Sequence, residues 1–302
     1  MLGSDVVKEL EWRGFESVCL DSIAMNVTDK ETVSRMIADS APDVVFHCAA
    51  WTDVDGAEAA ENRDVVTAVN VDGTRNVAEA AKKAGAKLVY ISTDYVFGGS
   101  SGRPRRPEDT DFDPLNHYGK TKLEGERIVK ESMDEYFIVR TSWLFGENGR
   151  NFLKAIFEKA SSGGEIRVVD DQIGTPTFTA DLARILVDMA LTEKYGTYHV
   201  TNECGYVSWC EVAREVVRLA SGETCAAEDT EAAPAADTKV VPVTTEEYLL
   251  TVSKEGGRRP AKRPKDSRLD TGKLEAAGFK KLPDWRDAAA RYIKLLRRTS
   301  EM

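Results

Sequence analysis

Tyr118 and Lys122 lie four residues apart in Asn116-His117-Tyr118-Gly119-Lys120-Thr121-Lys122, within a stretch that reads as a helix from Leu115 to Ser132. That spacing puts both side chains on one face, one turn apart. An ammonium beside a phenol favours the phenolate and is expected to lower the tyrosine pKa from its usual value near ~10. Tyr118 would then be a usable general acid, able to protonate a carbonyl oxygen as hydride arrives at the carbon. Taken alone, the pair is more often just a solvated couple on a helix surface.

A second group lies upstream. Lys87 to Ile91 reads as a buried strand and runs straight into Ser92-Thr93-Asp94-Tyr95-Val96-Phe97. Polar residues at the carboxyl end of a parallel strand sit where open α/β sheets take their ligands, and a hydroxyl there can bond the same carbonyl oxygen. An ST-turn closing the strand is the plainer account of Thr93. His47-Cys48-Ala49-Ala50-Trp51-Thr52 follows another expected strand, Asp43 to Phe46. Its small alanines admit the backbone of a cofactor, or simply pack under a helix. Asn70 falls inside an expected helix from Asn62 to Ala84. Asn is a mediocre helix former, so it needs either a partner on neighbouring backbone or an outlet to solvent.

These groups need a scaffold to bring them together. Over the first two thirds, short apolar runs alternate with helical periodicity, the pattern of a parallel sheet with crossover helices. Leu2 to Arg13 reads as an amphipathic helix ended by Gly14, Ser17 to Leu20 as a strand, and Asp29 as the cap of a helix reaching about Asp39. Gly85 closes the long helix, and Tyr136 to Arg140 is a further strand. Beyond residue 141, helices are expected at Asn151 to Ala160, Thr179 to Leu191, Trp209 to Ala220 and Asp284 to Arg298, with a strand at Tyr198 to Thr201. Residues 221–242 read as a surface loop or small lobe, and Arg258 to Arg268 as an extended basic segment. The expected fold is α/β: a Rossmann-like doubly wound parallel sheet in residues 1–145, and a smaller C-terminal substrate lobe in 146–302 that returns some elements to the core.

Composition narrows the function. The net charge is -10, from 41 basic and 51 acidic residues among 302, which argues against nucleic acid and against an anionic membrane surface as partners. The five cysteines, Cys19, Cys48, Cys204, Cys210 and Cys225, are odd in number and lack a C-x-x-C pair, as in a reduced cytoplasmic protein. Neither they nor the three histidines show metal-ligand spacing, so no metal is expected. No apolar run reaches the roughly 20 residues of a membrane helix, and the N-terminus lacks a secretory signal pattern.

Taken in order, Ala-Ala after one strand, Asn in the next helix, Ser-Thr after the next strand and then Tyr-x-x-x-Lys resemble the extended short-chain dehydrogenase/reductase superfamily. Within it the chain is most similar to the dTDP-4-dehydrorhamnose reductase family. The similarity is carried by Cys48 to Val54, Ser92 to Phe97, Asn116 to Lys122, Arg140-Thr141-Ser142-Trp143-Leu144-Phe145-Gly146, Asp171 to Thr177 and Arg263 to Asp270. It covers nearly the whole chain.

The resemblance implies a reductase of a nucleotide-linked 4-keto sugar using NADPH or NADH. Tyr118 would donate the proton to the C4 oxygen, Lys122 would bind the nicotinamide ribose, and Thr93 would polarise the carbonyl. Gly3, Asp21, Ala49, Ala50 and Thr52 would line the cofactor path. Val54, Tyr95, Trp143, Gln172 and Arg263 would meet the sugar nucleotide, with Arg263 and Arg268 suited to a diphosphate. Asp21 after an expected second strand leans toward NADH. The family leaves room for a homodimer. It also implies alternatives: a related nucleotide-sugar 4-ketoreductase, or a non-catalytic regulator resembling the beta subunit of methionine adenosyltransferase.

The chain departs from the family pattern in two places. Asn26 stands where an Asp is usual. The family opens with a strand and a turn of form G-x-x-G-x-x-G, of which only Leu2-Gly3 is matched, at the last glycine. A mis-chosen start, with Met1 inside the true reading frame, is the expectation; the competing account is a truncated form that binds cofactor poorly.

Overall fold

In the computed structural model, which describes residues 1–222, 238–254 and 260–300, the chain first lays helices against a parallel sheet. α1 (Leu2–Trp12) and α2 (Lys30–Ser40) come first. Asp29 caps α2, accepting from the Glu31 and Thr32 amides, so two donors of the first turn are satisfied. β1 (Val44–His47) leads to α3 (Arg63–Thr67), a π-helical stretch at Ala68–Asp72, and α4 (Gly73–Ala84), which ends on Gly85 at φ 71°. A left-handed residue there costs glycine little. β2 (Lys87–Thr93), α5 (His117–Ser132) and β3 (Tyr136–Thr141) continue the alternation.

The second half is less regular. β4 (Leu144–Phe145), α6 (Phe152–Ala160), β5 (Gly164–Val169), β6 (Ile173–Gly174), β7 (Thr177–Phe178) and α7 (Thr179–Ala190) follow. Next come β8 (Gly196–His199), β9 (Val207–Ser208), α8 (Trp209–Ala220), β10 (Thr238–Val243) and α9 (Thr245–Lys254). α10 (Gly272–Ala276) and α11 (Trp285–Ser300) close the described chain.

The main sheet has the order β1-β2-β3-β8, all parallel, with Val45 opposite Leu88, Val89 opposite Phe137 and Val139 opposite Tyr198. Both faces are covered. On one, Leu2 and Val6 of α1 pack with Leu182 and Leu186 of α7 against Val89 and Val139. On the other, Val33, Val77 and Ile128 cover Leu88 and Ile138. β8 and α7 thus return to the sheet from the second half. A separate core of Ile156, Ile166, Val212, Trp285 and Tyr292 joins α6, α8 and α11 to the parallel pair β5 and β10.

Three expectations need correction. Ser17 to Leu20 is irregular rather than a strand, with Val18 65% exposed. A strand persists through its ladder partners, and among the described residues none pairs with this segment. The expected strand at Tyr198 to Thr201 instead runs Gly196–His199, the register β3 offers. Within the expected loop 221–242, Thr238–Val243 forms β10, because Val240, Val241 and Val243 find a ladder in β5. Cys225 and Arg258 lie outside the described residues.

Candidate active site

The carboxyl end of β2 and the first turns of α5 converge. The Thr93 hydroxyl donates to Asp94 Oδ1 at 2.9 Å and accepts from the Tyr95 amide at 3.2 Å. The ST-turn is therefore present, and it is also what orients the hydroxyl. Asp94 is 3% exposed and its Oδ2 has no hydrogen-bond partner. The Ser267 hydroxyl faces that carboxyl group but donates to the Ile173 carbonyl at 3.3 Å. Burial pushes the Asp94 carboxyl up to about 7, against the hydrogen bond from Thr93.

Asn116 caps α5, its Oδ1 accepting from the Gly119 amide at 2.8 Å, and its Nδ2 donates to the Lys262 carbonyl at 2.8 Å. The His117 amide donates to Glu58 Oε1 at 2.6 Å. These contacts set where Tyr118 and Lys122 stand. Gly119 is needed for space: a Cβ there would lie 2.3 Å from the Tyr95 carbonyl oxygen. With glycine, α5 closes on the β2 loop and the half-buried Tyr118 ring meets Tyr95 edge-on, centroids 6.1 Å apart. Lys122 is 3% exposed. Its ammonium lies 4.1 Å from the centroid of the Tyr90 ring and makes no salt bridge among the described residues.

Electrostatics overturn one expectation. Burial pushes the Tyr118 phenol above its ordinary range, the Asp94 charge adds to this, and hydrogen bonding with Thr93 opposes it. Lys122 is not among the charges that move it. The lysine is itself pushed down to about 7 by burial, with Glu126 opposing. In the folded chain, desolvation outweighs the pairing that the four-residue spacing suggested.

Asn70 turns out to be a site builder. It is 1% exposed within the π-helical stretch. Its Oδ1 accepts from the Trp51 amide at 2.8 Å, and its Nδ2 donates to Thr121 Oγ1 at 3.0 Å and to the Trp51 carbonyl at 3.3 Å. One side chain thus ties the loop after β1 to α5. Local π-bulges in helices frequently mark such sites.

The other expected residues divide between those near this cluster and those apart from it. Ala49 and Thr52 are exposed and Ala50 half-buried in the loop after β1 that Asn70 holds. Gly3, in the first turn of α1, faces Cys48 at the head of that loop, where an added Cβ would meet Cys48 Cβ at 3.6 Å. Asp21 stands in an exposed turn, its Oδ1 accepting from the Ile23 and Ala24 amides at 2.9 and 2.8 Å. Val54 is half-buried beside Asp55.

Arg263 is held by Asp55, Nη2 to Oδ2 at 3.0 Å, and its charge opposes the upward push of burial on the Tyr95 phenol. The Ala261 amide donates to Asp55 Oδ1 at 2.8 Å, so the 260–268 segment straps the loop after β1. Arg268 is bidentate on Asp266 at 2.8 and 2.7 Å. Trp143 adopts φ 49° and stacks on Trp209, centroids 3.7 Å apart and planes 13° from parallel. Gly174 leaves room for it: a Cβ there would be 2.7 Å from the indole. Gln172 is 6% exposed, and its amide donates to Thr245 Oγ1 at 3.0 Å.

Sequence reasoning missed Asp55, Glu58, Asp94, Asn116 and Trp209. Asn116 was findable, since Asn before an expected helix is a cap signal. The others matter through contacts far apart in sequence. Among the described residues, no group of three or more His, Cys, Asp or Glu is placed to hold a metal ion, and no helix is long and apolar enough to cross a membrane.

The profile of the family described as RmlD substrate binding domain matches residues 1–298. A dTDP-4-dehydrorhamnose reductase from Streptomyces griseus is 40% identical over 294 residues, covering 95% of this chain and 88% of that protein. The spore coat polysaccharide biosynthesis protein SpsK of Bacillus subtilis is 34% identical over 293 residues, 97% of this chain and 93% of that one. Among solved structures, a dTDP-4-dehydrorhamnose reductase from Bacillus anthracis in complex with NADP superimposes with a TM-score of 0.84 at 37% identity, covering 97% and 94% of the two chains. The counterpart from Clostridium acetobutylicum gives 0.86 at 38% identity, covering 98% and 96%.

Proposed function

The chain belongs to the RmlD substrate binding domain family, and from that membership and the site geometry we propose that it reduces dTDP-4-dehydrorhamnose to dTDP-rhamnose with NADPH or NADH. The observation that supports the reading is that Thr93 and Tyr118 meet where β2 ends and α5 begins, with Lys122 one turn further along α5. The site also fits a polar ligand. Among the described residues, the buried Lys122 ammonium makes no salt bridge and lies over the Tyr90 ring, and the buried Asp94 Oδ2 has no hydrogen-bond partner. Buried polar groups left so in a native fold call for a partner.

In this reading the bound dinucleotide supplies the hydride. Gly3, at the amino end of α1, suits its phosphates, because helix N-termini favour anions. Ala49, Ala50 and Thr52 leave a low wall along its path, Lys122 takes the nicotinamide ribose, and Asp21 takes the adenosine ribose. Residues 1–145 form the cofactor domain, and 146–302 supply mainly the substrate lobe. Val54, Tyr95, Trp143, Gln172 and Arg263 face the sugar nucleotide.

Tyr118 gives its proton to the C4 oxygen, and Thr93 donates a hydrogen bond to the same atom. A phenol held above its ordinary pKa stays protonated at neutral pH, which is the form a donor needs. The alkoxide left by hydride addition is far more basic than a phenolate, so the transfer runs downhill. The free cysteines Cys19, Cys48, Cys204 and Cys210 support a reducing compartment, and we place the reaction in the cytoplasm.

The test is to titrate the purified chain with NADH and NADPH by nicotinamide fluorescence, then add dTDP-4-dehydrorhamnose and identify the product. Cofactor oxidation with formation of dTDP-rhamnose is expected. Binding without turnover would reject the substrate, and no binding of either dinucleotide would reject the reductase reading.

A further inference from the structure

One buried charge cluster beside the site has no part in the reaction as read above. Glu126 is 1% exposed, Arg140 and His199 0% and Ser92 3%. Arg140 Nε and Nη2 donate to the two Glu126 oxygens, each at 2.7 Å, and Ser92 Oγ donates to Oε1 at 2.6 Å. The guanidinium lies 5.1 Å from the ring centroids of both Phe97 and Phe112. Its Nη1 faces His199 Nε2 at 3.3 Å, and His199 Nδ1 pairs with the Arg105 carbonyl at 3.0 Å.

Such a pair is a poor device for stability, since apolar residues of like volume often serve as well or better. Its placement is more informative. Glu126 follows Lys122 by one turn on α5, Ser92 adjoins Thr93, and Arg140 is the register partner of Ser92 on β3. The cluster therefore touches every element that carries a proposed reacting group.

We propose that Glu126, clamped by Arg140 and Ser92, is a positioning residue: it pins α5 to the end of β2 and sets a buried negative charge one turn along the helix from the Lys122 ammonium. The groups facing Lys122 support this. They are Glu126 on its own helix, His47 and Cys48 at the end of β1, and Tyr90 on β2. Burial takes His47 down to about 3, Cys48 up to about 12 and Tyr90 well above its ordinary range, so all three are neutral near pH 7. Among the described residues, that leaves Glu126 as the one charge facing the lysine. Around Glu126 itself stand Arg140, Lys130 at 3.9 Å, and the Tyr90 and Tyr136 phenols. Glu126 acts on Lys122 more strongly than Arg140 does, so removing the pair still takes away negative charge on balance.

The inference rests on the reductase reading, and its test separates the two. The variant is Glu126→Gln with Arg140→Met, which removes both charges, keeps their volume and leaves Ser92 an acceptor. Two readouts are taken beside wild type: the pH dependence of kcat/KM, and the Lys122 titration followed by its side-chain nitrogen NMR signal. Losing an opposite charge lets the lysine shed its proton at lower pH, so both curves move down by about one pH unit, and kcat falls more than KM changes. Glu126→Asp keeps the charge on a shorter arm and is expected to keep both curves near wild type while kcat drops. A folded double variant with wild-type curves overturns the proposal, and so do shifted curves in Glu126→Asp. An inactive wild type at every pH rejects the reductase reading instead, while the NMR titration still decides the role of Glu126.

Discussion

The end of β2 with α5 and the side that carries Trp143 and Arg263 are built on different principles. On the β2 and α5 side, proposed reacting groups sit on regular elements that are pinned more than once. Asn116 caps the helix, Asn70 holds its flank, and Gly119 lets it close on Tyr95. On the lobe side, Trp143 stands in a left-handed backbone conformation against Trp209, and Arg263 leans on Asp55 across the strap. The contrast implies that chemistry depends on the first side and ligand choice on the second. Each prediction below would break or sharpen that division.

The largest effect is expected from Tyr118→Phe. Removing a general acid should lower kcat by on the order of a hundred-fold or more, with dinucleotide affinity measured by fluorescence nearly unchanged. Turnover within threefold of wild type would remove Tyr118 from the chemistry.

Asn70→Ala should act on stability before chemistry. It strands the part-buried Trp51 amide and removes the donor to Thr121 Oγ1, which keeps its own bond to the Tyr118 carbonyl, a loss of about 2 kcal/mol in denaturant unfolding. A loss below about 0.5 kcal/mol would mean that the π-helical stretch holds its shape without this side chain, and that the β1 loop is not tied to α5 through it.

Trp209→Leu should be milder and should fall on binding. Without its stacking partner, Trp143 loses the face that fixes its strained backbone. KM for the sugar nucleotide should rise about tenfold, roughly 1.4 kcal/mol, with kcat within about twofold, an estimate in line with aromatic-pair energies. An equal fall in kcat would show that the lobe side shares in the chemistry, and the division would fail.

The comparison also separates what could be read from residues alone. The alternation of apolar runs and helical stretches was legible for α1, α2, β1, β2, α5 and β3, because each hides an apolar face with the period of its own element. Thr93, Tyr118 and Lys122 were legible because short-range spacing and strand-end position place them. Asn70 was legible as an anomaly but not as a tie. The Ser17 to Leu20 segment was misread because a strand is a statement about its neighbours. β10 was hidden in the expected loop 221–242 for the same reason.

By itself the sequence determined the parallel α/β pattern, the helix face that carries Tyr118 and Lys122, and the strand end that carries Thr93, since these follow from local periodicity and from residues a turn apart. Only the tertiary structure decided that Tyr118 is held above its ordinary pKa rather than below it, that Arg263 pairs with Asp55, that Trp143 stacks on Trp209, and that Glu126 is the charge facing Lys122. Those outcomes depend on burial and on contacts between residues up to about 200 positions apart; desolvation and long-range pairing arise from the closed fold, and no short window of sequence contains them.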